Sequence, residues 1–334
     1  MPRLTISIPN PTDATSFYRG IGPLGELLRR YDNLRWVTIQ SHDWSSTEYT
    51  DCLFMQRPHT KDELIVALMY KENSIPLWID YDDDLLCVPT DNPTYPIYSK
   101  SIDNIKKLLS LADVVTVSTN ALQKRYSEFN KNVIVVPNAF NSRRFKHKIE
   151  NPKPRKKIIA WRGSKTHTRD CLSQAEVIIK LANEYKDTDW QWHFIGDIQW
   201  QLTDHMPHEK TIWSEGMDII SYHNYIYELA PAVFIVPLED NEFNQSKSNI
   251  NWIEATMAGS ATIAPLWEEW NQSGIMPYEN TYHFESNLRS ILNEKALIEQ
   301  RVKFSRDIIL NDLTLEKVNT KRVEILENFL GKKL

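Results

Sequence analysis

Short apolar, β-branched runs alternate with amphipathic stretches along almost the whole chain. In the first 140 residues these runs predict strands at 4–9, 34–40, 52–56, 76–81, 114–119 and 133–138. Helical patterns lie between them, near 17–31, 60–73, 98–112 and 120–129. Repeated strand–helix units predict a parallel sheet that is covered by helices on both faces.

The same alternation restarts after residues 141–157, a charged, proline-containing segment that is typical of a linker. The second series predicts strands at 157–163, 190–197, 211–215, 232–238 and 261–267, with helices near 169–185, 221–229 and 246–258. Two further helical segments, about 286–309 and 315–330, follow. The sequence therefore predicts an α/β protein with two Rossmann-like, doubly wound domains that face a cleft.

Composition narrows the class of protein. The 334-residue chain has 41% hydrophobic and 25% charged residues and a net charge of -5, which is ordinary for a globular protein and excludes a broadly basic nucleic-acid binder. Its three cysteines form no C-x-x-C pair, so neither a zinc site nor a disulfide framework is indicated. No apolar run approaches the ~20 residues of a membrane span, and the first residues lack a signal-peptide pattern. We expect a cytoplasmic protein without integral membrane association.

The segment from Phe243 to Pro265 combines a cation, an amide and a carboxylate. A helix beginning near Ser246 would place Lys247, Asn251 and Glu254 on one face. The N–H groups of a helix start and the Lys247 charge suit a phosphate, and the carboxylate can accept hydrogen bonds from a ribose diol. The alternative is a capped helix with a row of polar surface side chains.

Three other stretches follow predicted strands, where ligands bind in such sheets. In WRGSKTHTRD (161–170) a glycine is followed by three possible hydrogen-bond donors; the alternative is a polar loop that caps the next helix. In FYRGIGPLGELL (17–28) three glycines indicate either a phosphate-facing loop or a structural turn.

In IDYDDDLL (79–86) four acids repel one another unless a metal, a sugar hydroxyl or an arginine compensates them. Arg57, at the end of another strand, could pair with these acids or bind a phosphate.

Two motifs resemble the retaining GT-B glycosyltransferases of the family numbered four. IEATMAGSATIAP (253–265) is similar to the second half of that family's Glu-x7-Glu signature, and Ser246 stands where the first glutamate is usual. VVPNAFNSRRF (135–145) is similar to the motif that closes its first domain. A finer resemblance, to phage and bacterial members, rests on DCLFMQRP (51–58), IDYDDDLL, WRGSKTHTRD and PLEDNEFNQSKS (237–248).

The resemblance implies a GT-B fold with an acceptor-side domain (1–150), a nucleotide-sugar-binding domain (151–314) and a C-terminal helix (315–334) that returns to the first domain. It also implies a nucleotide-sugar donor, a UDP-sugar in the first instance, with no prosthetic group and no metal. The D-x-D pattern of the acidic stretch is also found in GT-A enzymes. That fold has a single nucleotide-binding domain, which would leave the second strand–helix series unexplained.

The site residues expected from the motifs and the resemblance form three groups. The catalytic group is Asp82, Asp83, Arg162 and Lys247; the donor-binding group is Gly22, Gly163, Ser164, Lys165, His167, Ser246, Ser248, Asn251 and Glu254; the acceptor-side group is Arg19 and Arg57. Phage relatives modify hydroxymethylated pyrimidines in DNA and others build surface polysaccharides, so both acceptors stay open. A nucleotide-sugar-binding protein without activity is the non-enzymatic alternative.

Overall fold

The computed structural model describes residues 2–39 and 50–334, and the chain divides into two compact units. Unit 1 comprises Met1–Ala139, Gln245–Ser248 and Leu315–Leu334. Unit 2 comprises Phe140–Asn244 and Asn249–Thr314. Each unit is built on its own sheet, as the two strand–helix series of the sequence predict.

Unit 1 contains a six-stranded parallel sheet with the order β2-β1-β3-β4-β5-β6. Its strands are β1 (Arg3–Ser7), β2 (Arg35–Ile39), β3 (Cys52–Gln56), β4 (Leu77–Tyr81), β5 (Val114–Val117) and β6 (Val133–Val135). Its helices are α1 (Ala14–Arg19), α2 (Ile21–Arg30), α3 (Lys61–Glu72), α4 (Tyr95–Tyr98), α5 (Ile102–Leu111), α6 (Asn120–Tyr126) and α16 (Leu315–Leu330). Every residue of β3 and β4 is buried, as expected where helices cover both faces of a parallel sheet.

The glycine-rich stretch 17–28 forms two helices, so the interpretation as a phosphate-facing loop is wrong. Gly22 lies within α2, where a Cβ atom would come 1.9 Å from the carbonyl oxygen of Phe17 in α1. The missing side chain therefore serves the close packing of two consecutive helices.

The C-terminal helix α16 packs on unit 1. Its Ile325 and Leu326 join a buried cluster that includes Leu24 and Leu27 of α2. Asn319 Nδ2 donates to the carbonyl oxygen of Pro23 at 3.0 Å. Arg322 of the same helix is also buried. Burial, together with the charge of Arg19, lowers the pKa of Arg322 to about 9.

Unit 2 contains a second six-stranded parallel sheet with the order β12-β11-β10-β7-β8-β9. Its strands are β7 (Lys156–Gly163), β8 (Gln191–Gly196), β9 (Thr211–Ser214), β10 (Pro231–Ile235), β11 (Ala261–Pro265) and β12 (Ile275–Tyr278). The helices along this part of the chain are α7 (Ser142–Glu150), α8 (Thr168–Leu172), α9 (Ala175–Glu184), α10 (Trp200–Thr203), α11 (Ile219–Leu229), α12 (Glu242–Gln245), α13 (Ile250–Met257), α14 (Thr281–Asn293) and α15 (Lys295–Asp312).

The segment interpreted as a linker forms α7, and that interpretation is wrong for residues 142–150. The Asn141 side chain caps the helix by accepting a hydrogen bond from Arg144 N at 3.0 Å. Phe145 and Ile149, four residues apart, both lie buried on one face. Two apolar side chains among many charges are sufficient for a short amphipathic helix when they share a face.

In residues 2–39 and 50–334 no helix is both long and apolar enough to cross a membrane.

Candidate functional site

Two glycines lie side by side where β7 and β8 end in unit 2. Gly163 and Gly196 are register partners, and Asp197 N donates to the Gly163 carbonyl oxygen at 2.8 Å. Gly196 has φ +107°, and a Cβ there would come 2.2 Å from that oxygen. A Cβ on Gly163 would come 2.5 Å from the ring of Trp161 and 3.0 Å from the Cβ of His167. Both positions therefore require glycine, and Gly163 lets the next turn fold closely over the strand end.

That turn carries a histidine–aspartate pair. His167 Nδ1 lies 2.8 Å from Asp170 Oδ2, and the two side chains are 27% and 7% exposed. The other oxygen of Asp170 accepts hydrogen bonds from Asn244 Nδ2 at 2.6 Å and from Glu239 N at 3.0 Å. The motifs at 161–170 and 237–248 are thus joined through the carboxylate of Asp170.

Ser164 and Lys165 lie in the same turn and are exposed. The Ser164 hydroxyl is 2.8 Å from that of Thr166. Both residues lie directly after the carboxyl end of β7.

Glu254, expected to hold a ribose, lies buried in α13 with 2% exposure and is bound to Arg162. Its Oε2 accepts from Arg162 Nε at 3.1 Å and from Nη2 at 2.7 Å, while His223 Nε2 lies 3.8 Å from Oε1. The Arg162 guanidinium also lies over the ring of Tyr222, 5.7 Å from its centre. Two residues predicted to contact different parts of a donor therefore contact each other.

Helix α13 begins at Ile250, with Asn249 at its N-cap, so the prediction of a helix start near Ser246 is wrong. Lys247 lies outside the helix and cannot share a helical face with Glu254. Asn251 lies in the first turn of α13 and is half-buried. The row of a cation, an amide and a carboxylate along one helix does not exist in this structure.

The residues before that helix, Gln245–Ser248, belong to unit 1. Thr119 Oγ1 donates to the Ser246 carbonyl oxygen at 2.9 Å, and Asn138 Nδ2 donates to Ser248 Oγ at 2.8 Å. The Lys247 ammonium group lies 3.7 Å from Asp83 Oδ1. The segment thus places its lysine beside the acidic stretch of unit 1.

Within unit 1 an arginine accompanies each member of the acidic stretch after β4. Arg57 donates to Asp82 and, at 2.5 Å, to Asp83 Oδ2, and Arg125 Nε donates to Asp84 Oδ2 at 3.0 Å. Burial raises the pKa of the Asp82 carboxyl, although the charge of Arg57 opposes that shift. Arginines therefore compensate the charges of these aspartates, which is one of the three possibilities that the sequence leaves open.

The backbone of Arg57 has φ +48°, an uncommon conformation for a residue with a side chain. Its N–H donates to the Asp80 carbonyl oxygen at 2.8 Å, which ties the end of β3 to the end of β4. Arg57, Asp82 and Asp83 keep 21%, 13% and 23% of their side chains exposed, so a ligand can still reach them. Among the described residues no group of three or more His, Cys, Asp and Glu side chains is placed to hold a metal ion.

The expectation that Arg19 contacts an acceptor needs correction. Arg19 has no exposed side-chain surface and donates to Asp80 through Nε at 2.9 Å and Nη2 at 2.7 Å. Thr116 Oγ1 donates to the same carboxylate at 2.6 Å. Arg19 is therefore an internal counter-ion that joins α1 to the centre of the sheet, out of reach of an acceptor in this conformation.

A cavity of about 710 Å³ lies in unit 1 near the carboxyl ends of β1 and β2. The described residues lining it contribute hydroxyl, imidazole and carboxylate groups, and no lysine or arginine is among them. They are Ser7, Ile8, Pro9, Pro11, Ile21, Thr38, Ile39, His59, Thr60 and Glu63. A mixed polar and apolar lining of this kind suits an uncharged molecule that carries hydroxyl groups.

Sequence reasoning did not predict which side chains the candidate site residues contact. The sequence predicts His167 as a donor-binding residue, but it does not predict that this side chain pairs with Asp170. Nothing in the sequence indicated that Asn244 pairs with Asp170, because the two residues are 74 positions apart. His223 also could not be identified as a neighbour of Glu254, because it lies inside an ordinary amphipathic helix.

The chain has the GT-B fold, as comparison with solved structures shows. It matches Anabaena HepE in complex with UDP-glucose with a TM-score of 0.69 and 10% identity, over 98% of this chain and 100% of that one. It matches a glycosyltransferase from Rickettsia africae with a TM-score of 0.65 and 14% identity, over 98% of both chains. A trehalose 6-phosphate synthase from Burkholderia multivorans gives a TM-score of 0.66 and 10% identity, over 99% of both chains.

No protein-family model matches the chain, and no curated protein matches it by sequence. The expected α/β fold with two Rossmann-like domains is confirmed by the GT-B structures.

Proposed function

We propose that this protein is a glycosyltransferase that moves a sugar from a nucleotide-sugar donor to a hydroxyl group. The observation that carries the proposal is a pair of polar contacts in unit 2, between Arg162 of β7 and Glu254 of α13 and between His167 and Asp170 in the turn after β7. Two similar structures, HepE in complex with UDP-glucose and HepE in complex with UDP, support a uridine nucleotide as the donor's carrier.

In the proposed site Glu254 binds the ribose and Arg162 orients it. Glu254 Oε2 accepts two hydrogen bonds from Arg162, and in the proposed complex the ribose hydroxyls donate to the same carboxylate. A buried carboxylate that is already fixed by an arginine costs little further ordering when a ligand binds.

Breaking the bond between the sugar and the diphosphate puts negative charge on the leaving phosphate, which fixed cations and N–H groups stabilise. Lys165 at the end of β7 is the lysine of unit 2 that we assign to this task, with Ser164 as a neutral donor. Asp82 and Asp83, held by Arg57, are assigned to the hydroxyl groups of the reacting sugars. We propose retention of the anomeric configuration and no requirement for a metal.

The acceptor is assigned to unit 1. The cavity near β1 and β2 offers hydroxyl and imidazole groups but, among its described lining, no cation for a phosphate backbone. This favours a glycan or another uncharged acceptor over a hydroxymethylated pyrimidine in DNA, whose phosphates usually contact lysine and arginine.

The proposal is tested by incubating the protein with a panel of sugar nucleotides and with glycan and hydroxymethylated-DNA acceptors, and by weighing the products by mass spectrometry. We expect one nucleotide sugar to be consumed, with the sugar's mass added to a glycan. If the sugar's mass is added only to the hydroxymethylated DNA, the acceptor is DNA and the activity is that of the phage enzymes. Binding of a sugar nucleotide without turnover of any donor would make the protein a nucleotide-sugar-binding protein instead.

A further inference from the structure

The cavity of unit 1 near β1 and β2 is lined by a carboxylate that uses only one of its two oxygens. Glu63 lies in the first turn of α3, and its side chain is 7% exposed. Its Oε2 accepts hydrogen bonds from His59 N at 2.9 Å and from Thr60 N and Thr60 Oγ1, both at 2.8 Å. Its Oε1 has no hydrogen-bond partner among residues 2–39 and 50–334. Capping of α3 therefore accounts for only half of this carboxylate.

The imidazole of His59, in the same lining, also uses only one polar atom. Its Nδ1 lies 3.0 Å from the Arg57 carbonyl oxygen, and because a carbonyl oxygen only accepts, Nδ1 must carry the hydrogen. In the neutral ring Nε2 then holds the lone pair and is an acceptor. Nothing in the described part of the chain bonds to Nε2. Tyr98 packs against the ring, with 5.2 Å between the two ring centres, and restricts its rotation.

The two unused acceptor atoms belong to neighbouring groups. His59 Nδ1 is 3.9 Å from Glu63 Oε2, and both side chains line the cavity of about 710 Å³. One small ligand can therefore contact both groups. Two acceptors, with no lysine or arginine among the described lining, require a ligand that donates hydrogen bonds. Two adjacent O–H donors are the mark of a sugar ring, and Ile8 and Ile21 add apolar surface for its C–H groups.

We propose that Glu63 Oε1 and His59 Nε2 bind two adjacent hydroxyl groups of the acceptor and so select a sugar with a vicinal diol. One O–H group donates to the carboxylate and its neighbour donates to the imidazole. The role is one of specificity, and neither residue moves a proton in the transfer. This inference rests on the proposed function and names the acceptor chemistry that the cavity recognises.

Binding of simple glycosides tests the proposal without any donor. The probes are the methyl glycosides of glucose, galactose and mannose and the amine-bearing methyl glycoside of glucosamine, titrated by ligand-observed NMR. The tightest neutral glycoside is then compared with its deoxy forms, each lacking one hydroxyl. Loss of the hydroxyl on the carboxylate should weaken binding about 10- to 100-fold, and loss of its neighbour on the neutral imidazole about 2- to 10-fold.

Two variants assign these hydroxyls to the two residues. Glu63→Gln keeps a residue that completes the cap of α3 but replaces one acceptor oxygen by an N–H donor group. In this variant, loss of the first hydroxyl should change the affinity by no more than about twofold, because its partner is already absent. His59→Asn keeps an N–H donor near the position of Nδ1 and lacks Nε2, so it should abolish the effect of the second hydroxyl in the same way.

Matched controls separate this role from a general effect of the substitutions. Asp62→Asn changes an exposed acid in the same turn of α3, and His208→Asn changes an exposed histidine of unit 2. Both should bind every glycoside as the wild type does. Thermal unfolding shows whether each variant is folded, and the deoxy series on the wild type remains informative if one is not.

The inference is overturned if the wild type binds none of the neutral glycosides, or if the deoxy effects are unchanged in both Glu63→Gln and His59→Asn. Binding of the amine-bearing glycoside alone would also overturn it, because the site would then recognise an ammonium group. Failure of the proposed function is a different result: the wild type would bind a neutral diol through these two residues and yet consume no sugar nucleotide.

Discussion

Glu254 and Arg162 are 92 residues apart in the sequence and share two hydrogen bonds in unit 2. We predict that Glu254→Gln weakens binding of the donor nucleotide by about 1–3 kcal/mol, the range for leaving buried polar groups without full partners. The measurement is calorimetric titration with the nucleotide that the wild type binds.

Glu209→Gln, at an exposed position of unit 2, is the control for that change and should bind as the wild type does. Because Glu254 is buried, thermal unfolding of each variant is recorded alongside. A folded Glu254→Gln protein with unchanged affinity would show that the carboxylate does not hold the nucleotide.

The buried side chain of His193 in β8 makes the stability of the protein depend on pH. Its Nε2 lies 2.8 Å from Ser214 Oγ and 2.9 Å from the Tyr225 hydroxyl, and burial lowers its pKa to about 4. In the unfolded chain a histidine titrates near 6.5, so the unfolded state takes up a proton first as the pH falls. This group's contribution to stability is complete above about pH 6.5 and is lost as the pH falls through about 4, a total of about 3 kcal/mol.

Urea unfolding across that pH range measures the effect. The free energy of unfolding of the wild type should fall more steeply on acidification than that of His193→Gln, which has no imidazole at this position. Parallel curves for the two proteins would mean that His193 is not kept neutral by burial.

At the scale of elements, the acidic stretch after β4 depends on side chains from elsewhere in unit 1. Because arginines and Lys247 accompany Asp82, Asp83 and Asp84, we predict that transferase activity survives treatment with EDTA. Complete loss of activity, restored by Mn²⁺ or Mg²⁺, would instead assign the carboxylates to a cation.

Helix α16 is held by apolar contacts, and we predict that Leu326→Ala lowers the free energy of unfolding by about 2–4 kcal/mol. Leu326 is 1% exposed, and a truncated core leucine costs this much because it leaves a cavity. Denaturant unfolding followed by tryptophan fluorescence gives the value. Glu324→Ala, on the exposed side of the same helix, should stay within about 0.5 kcal/mol; similar losses for both variants would contradict the packing of this helix.

Strands and helices could largely be predicted from the sequence, because parallel strands covered on both faces are apolar runs and the helices between them are amphipathic. The errors are short or ambiguous elements. Residues 142–150 have only a few apolar positions among charges, and β12 is a four-residue strand interrupted by Pro277 at the edge of its sheet. The start of α13 was misplaced because Ser246 and Asn249 are both acceptable N-cap residues.

The candidate site could be predicted less completely than the fold. Strand ends indicated where candidate residues lie, since parallel strands bring their carboxyl ends to one edge. The pairing of Arg19 with Asp80 and of Arg162 with Glu254 could not be read from the sequence, because long-range partners are chosen by tertiary packing. The charges of Arg19 and Arg162, which the sequence offers to a ligand, are each paired with a carboxylate of the same unit.

At the scale of the molecule, unit 1 is completed by the last residues of the chain. We predict that removing residues 315–334 lowers the melting temperature of the protein and reduces turnover beyond the fraction that is unfolded. The reason is that α16 supplies Ile325 and Leu326 to the cluster under α2. Activity is compared well below both melting transitions, with circular dichroism to confirm secondary structure. Full activity of the truncated protein would show that this helix is dispensable.

The same feature has a consequence for how the protein is made. Residues 1–139 emerge from the ribosome long before α16 is synthesised. The apolar surface of unit 1 that α16 covers therefore stays exposed while all of unit 2 is being synthesised. Unit 2 needs none of those last residues and can fold first, although it lies later in the chain than most of unit 1. Chains whose translation stops early would then carry a finished second unit and an unfinished first one, which chaperones and proteases recognise by its exposed leucines and isoleucines.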